Sequence, residues 1–446
     1  MVVMLSPKPS QAYNSPEDLP MYPFARPPKS YDPPAELAEL RHRGPTERVQ
    51  LFDGRPAWIV TRDKEVREML SSDKFSNDRY NRDGYPEIHS GTKKDGVRPT
   101  FVHMDDPKHA RHRAMTESFF TPEATEAVKP QVQEVVDSLI DSIKERGCNN
   151  GPIDLVKELA TVVNPKVILL SILKVSEKEA NELIQSSSAL GGTSGSASES
   201  GHTDLHEYIS QLIDARIEKP GRPQDDLLSK LVVDEYRQAN LDRDDLINLV
   251  YMIFVAGNSA IQSSIVLGVI TLLQHQDQLE ELKENPELAG RVVEEILRYH
   301  TPSALNSRRV TTTDLTLGGK KIKSGSGVIG SVRSANRDER VYPDADKFSI
   351  HRQVDPHQNL AFGHGPHKCQ GQWLSRLELQ AIFSKIIIPV FLLCVGNCVV
   401  RLSGVLPATG SLFRKLPNLR LAIEPSELEY TSPTQNVGVL RLPVVF

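Results

Sequence analysis

Apolar side chains recur at three- and four-residue spacing over residues 34–43, 63–71, 130–145 and 225–235, the pattern of amphipathic helices. The same period runs through residues 155–173, where Pro165 is expected to break or kink the helix. No charged residue occurs from Leu246 to Gln274. Asp242 stands before this run as a cap, and Asp244 and Asp245 fall in the first turn, where carboxylates suit the positive end of the dipole. The run is long enough to cross a bilayer, yet Asn258, Ser259, Gln262, Ser263 and Ser264 in its middle are costly in hydrocarbon. A helix buried through the centre of a large protein fits better. A second apolar run, residues 386–400, is short and holds Pro389, Gly396 and Asn397, so no stable membrane span is expected.

Strand signals are few and short: residues 58–60, 314–317, 328–331, 419–423 and 437–442, with Gly318-Gly319 as a hairpin turn. The Gly/Ser-rich residues 186–202 are expected to form a mobile surface loop or lid. No repeat is visible. The pattern predicts a mainly α fold with small β-sheets in one large domain. Residues 1–22 are expected to be a disordered extension, with the ordered domain running 23–446. They lack the basic start and apolar core of a secretory signal, and the arginines of a transit peptide, which predicts a cytoplasmic protein.

The 446 residues carry 53 Lys plus Arg against 58 Asp plus Glu, a net charge of -5. That balance offers no basic stripe for nucleic acid. Four cysteines in so long a chain exclude a disulfide scaffold and suit a reducing compartment, so at least one is expected to be chemical.

Cys369 is the candidate. The stretch Phe362-Gly363-His364-Gly365-Pro366-His367-Lys368-Cys369-Gln370-Gly371 is a bulged loop running straight into a helical pattern. A cysteine at a helix entry is expected to have a lowered pKa. The glycines allow close approach to a flat cofactor, and a thiolate so placed is a soft ligand for haem iron. The stretch resembles the haem-binding signature of the cytochrome P-450 superfamily, Phe-x-x-Gly-x-x-x-Cys-x-Gly. The resemblance implies haem b, with Cys369 as axial ligand and Phe362, Gly363, Gly365, His367 and Gly371 around it. The haem would lie between the long central helix and the helix after the cysteine loop. It also implies that Glu295 and Arg298 resemble the Glu-x-x-Arg pair, bonding the segment around Arg337 and supporting the cysteine loop. His109 and Arg113 resemble the pair that meets the haem propionates.

The central helix reads Ala256-Gly257-Asn258-Ser259-Ala260, without the acid–alcohol pair that oxygen-activating members place there. The sequence is similar to the fungal nitric oxide reductase branch through Leu51-Phe52-Asp53-Gly54, Gly147-Cys148, Val255 to Asn258, Arg298 to Leu305 and the ending Val437-Gly438 to Phe446. That resemblance implies reduction of two nitric oxide molecules to nitrous oxide, in denitrification or detoxification. Electrons would come directly from NADH or NADPH, with no obligatory reductase partner. Ala256 and Gly257 would then lie against the cofactor, with Asn258, Ser259 and Ser303 as catalytic residues, Ser303 relaying protons. Arg79, Arg82 and Arg308, with Arg309 adding to the field, would bind the dinucleotide. No Gly-x-Gly-x-x-Gly unit exists, so the nicotinamide is expected in the haem pocket itself. Two positions depart from the branch: Ala260 replaces a threonine and Asn436 an aspartate of the proton path. The alternatives are a monooxygenase of a small organic substrate with a separate redox partner, and a non-catalytic haem-binding protein.

Residues 386–411 interrupt the helix after the cysteine loop. Joining Lys385 to Leu412 restores one amphipathic pattern, whereas the insert places Pro389 in the helix and adds Cys394 and Cys398. A retained intron read as coding sequence is the expectation.

Overall fold

The computed structural model describes residues 19–90, 98–186, 199–352, 355, 358–383, 393–395, 398–400 and 412–446. The chain joins the fold before Pro23, earlier than expected. Leu19 and Tyr22 are buried, Met21 bridges to Gln50, and the Tyr22 N–H donates to the Gln50 carbonyl at 2.8 Å. The reason is aromatic: Tyr22 and Phe24 pack edge to face within a small core beneath the sheet. The remainder of the expected extension lies outside the described residues. Just after it, Arg26 reaches the far end of the chain, its Nη2 donating to the Thr431 carbonyl at 2.8 Å and the Thr431 hydroxyl at 3.0 Å.

A five-stranded sheet carries the N-terminal part. Its order is Thr46–Gln50, Pro56–Val60, Gly327–Gly330, Arg308–Thr311 and Phe75–Ser76, antiparallel except for the pairing of Pro56–Val60 with Gly327–Gly330. Thr46–Gln50 and Arg308–Thr311 carry charged residues that hid their alternation in the sequence. Gly318 and Gly319 make the expected hairpin between Leu315–Leu317 and Lys320–Ile322, both with positive φ. Near the C-terminus the expected strands shift. Arg420–Leu421 pairs with Pro443–Val445 and this in turn with Ile153–Asp154, while residues 437–442 hold only an isolated bridge from Val439 to Tyr430, with Val437, Val439 and Leu442 buried.

Helices make up most of the rest. Ala35–Arg43 and Asp63–Ser71 match the pattern. The expected helix over 130–145 is longer, Pro122–Arg146, capped by the Thr121 side chain. Pro130 is tolerated in its interior because it faces solvent, where the orphaned carbonyl one turn back can take water. Residues 155–173 break at 161–162 rather than at Pro165, giving π-wound Val156–Ala160 and Ile168–Ile172 around Val163–Val167. The 225–235 pattern becomes Leu227–Lys230 followed by π-wound Leu231–Tyr236. Asp242 and Asp245 form a reciprocal capping box at the head of Arg243–Ala256, which passes through a turn at Gly257 into Asn258–Gln274. By length and composition these two together could cross a membrane, but 67% of the apolar window is buried inside the protein. Of the Gly/Ser-rich stretch, Ser186 ends the helix Glu177–Ser186 and Glu199 starts another, Glu199–Glu218; the rest of the expected loop lies outside the described residues. The expected insert is likewise outside them, except for a hairpin of Leu393–Val395 with Cys398–Val400. On either side, Gln372–Phe383 and Leu412–Lys415 pack on the same Pro122–Arg146 helix, and Lys415 pairs with Asp137 and Asp141 there.

The helix Ala289–His300 presents the most deeply buried ion pair. Arg298 holds Glu295 through two bonds of 2.7 and 2.8 Å, and both side chains are fully enclosed. The same guanidinium donates to the carbonyls of Asn336, Ala345 and Lys347, while Glu295 accepts from the Ser349 N–H and from Arg352. Every strong donor and acceptor is thus used. Replacing Arg298 by Met leaves Glu295 buried without its partner and should cost about 3–5 kcal/mol of stability. Denaturant unfolding of the two proteins measures it.

Candidate functional site

A cavity of about 340 Å³ opens between the central helix and the cysteine loop. Ala256, Gly257 and Ala260 face it from the helix, and Phe362, Cys369 and Gly371 from the loop. The loop is held from behind. Asn336 accepts from the Leu360 N–H at 2.8 Å and donates to Thr301 at 3.0 Å, which links the Arg298 network to the start of the loop. Asn359 donates to Glu294, which pairs with Arg376, and the Arg376 guanidinium lies 4.4 Å from the Phe362 ring centre. Gly363 and Gly365 both take positive φ. A Cβ on Gly365 would collide with the Leu70 carbonyl, so the loop is pressed against the end of the Asp63–Ser71 helix.

The sulfur of Cys369 faces this cavity. The Cys369 N–H donates to the Phe362 carbonyl at 2.8 Å, closing the loop. The thiol does not show the lowered pKa expected from a helix entry. Burial pushes it up, and the Gly371 N–H with Arg113, Arg376 and Lys368 pulls the other way without prevailing. The helix-end contribution is outweighed by desolvation of the charged form.

Basic groups gather at one side. Arg113 and Arg309 line the cavity with His367, and the His109 and His367 ring centres lie 4.0 Å apart. His109 meets Asp106 through Nδ1 at 2.9 Å, whereas its Nε2 is buried with no partner. Burial, then Arg309, hold His367 down at about 2. Glu378 is the only carboxylic acid in the wall among the described residues, and burial raises its pKa well above the ordinary range.

The family model for Cytochrome P450 matches residues 166–388 of the chain. The chain is 36% identical to "Cytochrome P450 55A3" of Fusarium lichenicola, the alignment covering 96% of this chain and 97% of that one. This chain is a cytochrome P450. It is also 33% identical to "Vitamin D3 dihydroxylase" of Streptomyces griseolus, over 93% of this chain and 94% of the other. The crystal structure of cytochrome P450 MoxA from Nonomuraea recticatena superposes with a TM-score of 0.82 at 32% identity, covering 96% of this chain and 98% of that one.

Membership implies haem, and the cavity of this cytochrome P450 fits it. Cys369 lines the space, a Cβ on Gly371 would meet no protein atom within 4 Å, and the orphaned His109 Nε2 lies on the side that Arg113 and Arg309 line.

Several expected site residues lie elsewhere. Asn258 and Ser259 are not among the wall residues; the helix turns Ala260 to the cavity instead, and the buried Asn258 Oδ1 has no partner. Arg79 grips Glu87 at 2.6 and 2.8 Å, and Arg308 bonds the Pro86 carbonyl with Glu87 at 3.5 Å. One acid thus neutralises two of the three arginines expected to attract a dinucleotide, while Arg82 is exposed. Arg309 faces the haem cavity where Arg308 was expected among the cofactor residues, because neighbours on a strand point to opposite sides. Ser303 lines the cavity. Asn436 accepts from the Leu305 N–H at 3.2 Å and so ties down the segment carrying Ser303. Sequence reasoning missed Asn164, whose Oδ1 is buried without a partner; a Cβ on Gly257 would come within 2.9 Å of it.

Buried histidines give this protein an acid limit. Burial holds His103 at about 4, and burial with nearby arginines keeps His300 well below 6.5. The unfolded chain takes these protons first, so the stability present above pH 6.5 falls as the pH drops towards 4. The loss is at most about 1.4 kcal/mol per pH unit for each histidine. His300→Gln should flatten the slope of unfolding free energy between pH 7 and 5.

Proposed function

We propose that this cytochrome P450 reduces nitric oxide to nitrous oxide with electrons taken directly from NADH or NADPH. Two NO, one NAD(P)H and one proton would give nitrous oxide, NAD(P)+ and water. The observation that carries this reading is the face the central helix presents: Ala256, Gly257 and Ala260, with no acid among the described residues and with the Ser264 hydroxyl, one turn further on, spent on the Ala260 carbonyl. Oxygen cleavage needs protons delivered at that face, whereas nitric oxide reduction by hydride does not draw on such a pair. The resemblance to the nitric oxide reductase branch and the 36% identity to the Fusarium relative support it.

Haem, when bound, would supply an iron centre for holding a small diatomic ligand and for electron uptake. Cys369 would hold it through its sulfur, to which the Gly371 N–H is bonded. His109, Arg113, Arg309 and His367 would hold the propionates, and Phe362, Gly363, Gly365 and Gly371 would give the flat ring its room. Ser303 would hold and pass on a proton at its hydroxyl, on a segment that Asn436 steadies. Glu295, Arg298 and Arg337 would act on the loop through Asn336. Of the basic residues named for the dinucleotide, Arg82 remains available at the surface, with Arg79 and Arg308 spent on Glu87. A monooxygenase fed by a separate redox partner is the second reading, favoured by the 33% identity to the Vitamin D3 dihydroxylase.

Anaerobic mixing of the ferric holoprotein with NO and NADH should consume NADH and release nitrous oxide with no added reductase. Ser303→Ala should slow that turnover about 100-fold while the thiolate carbon monoxide spectrum stays intact. NADH left untouched under NO, with substrate oxidation appearing once a reductase is supplied, would establish the second reading.

A further inference from the structure

A second hollow, of about 240 Å³, lies away from the haem cavity between the Ala35–Arg43 helix and the segment after Gly327–Gly330. Arg41, Arg333 and Arg337 line it with Ser334, and Asp32 and Asp346 belong to its wall. The three arginines are buried, at 3, 7 and 4% exposure. Two of them are engaged. Arg41 bonds Glu339 and the Ser334 hydroxyl, both at 3.1 Å. Arg337 bonds Asp346 at 2.9 Å and the Tyr299 carbonyl at 2.8 Å, and stacks on the Tyr299 ring.

Arg333 is different. Its Nε and Nη2 are buried with no hydrogen-bond partner, and no carboxylate lies within ion-pair distance among the described residues. The nearby acids do not serve it: Asp346 is committed to Arg337, and exposed Asp32 accepts from the Ser30 hydroxyl. Arg26, close enough to repel it, is itself bonded to carbonyls and a hydroxyl and brings no negative charge. Burial first, then Arg26, lowers the Arg333 pKa to about 10, which leaves it cationic at neutral pH. A buried guanidinium without a counter-charge is strongly disfavoured unless something supplies one.

We propose that this hollow binds a small oxyanion of the phosphate class, held by the open Arg333 guanidinium with Arg41, Arg337 and Ser334 around it. The planar fork of donors matches a tetrahedral oxyanion, and the bonds are charge-assisted. The site is distinct from the haem cavity, whose wall includes none of these residues. Its occupant bridges the N-terminal helix to the segment whose carbonyls at Asn336 and Ala345 hold Arg298. Binding therefore tightens the fold behind the cysteine loop.

The test is thermal unfolding of the haem-loaded protein titrated with sodium phosphate against sodium chloride at matched ionic strength. The expected result is a saturable rise in Tm with phosphate alone. Arg333→Gln removes an unpaired buried charge, so it should raise the Tm in phosphate-free buffer, keep the Soret band and weaken the phosphate response roughly 10- to 100-fold. Arg41→Gln should weaken the response too, and it carries the test should the first variant not fold. A parallel titration with AMP separates a free ion from a phosphate ester: tighter binding of AMP assigns the ester, and tighter binding of phosphate the ion. A response no greater than chloride's, or one undiminished in both variants as general salt exclusion would give, overturns the proposal.

Discussion

The structure turns on a carboxylate and a guanidinium that never meet water. Glu295 and Arg298 cost a great deal to bury, and that cost is offset only because every lone pair and N–H on them finds a partner. The consequence is geometric. Arg298 gathers three backbone carbonyls from a segment with little regular structure, and Asn336 from that segment bonds the backbone where the cysteine loop begins. A loop rich in glycine would otherwise be the least determined part of the molecule. It is fixed from behind by charge and in front by its press against the Asp63–Ser71 helix.

The cavity in front of that loop is electrically lopsided. Arginines and His367 stand on one side, apolar residues on the other, and burial raises the pKa of Glu378, the one carboxylic acid in the wall among the described residues. Such a surface suits a flat apolar group that carries its negative charge at one edge. The same principle explains why the approach is less basic than its sequence implies. Glu87 sits between Arg79 and Arg308 and cancels much of the field they would project. Glu87 carries no sequence motif, so nothing in the order of residues announced it.

What could be read in advance was whatever depends on local chemistry. The cysteine loop, the capped central helix, the Gly318-Gly319 hairpin and the Glu295–Arg298 spacing all carry their reasons within a few neighbours. What could not be read depends on residues far apart in the chain. The charged strands Thr46–Gln50 and Arg308–Thr311 pass for loops until a partner is known, and with them went the facing of Arg308 against Arg309. Pro130 passes for a helix start until its solvent exposure is seen. Asn258 and Ser259 looked central because of their place in a motif, but the wall is chosen by the rotation of the helix, which hands it to Ala260.

The clasp between Arg26 and Thr431 joins positions 405 residues apart. During synthesis on the ribosome its second half emerges 405 residues after its first. The segment around Arg26 must therefore wait through the making of those residues before that anchor exists. A chain halted just before residue 431 has its described helices complete, yet Arg26 lacks the carbonyl and hydroxyl that anchor it.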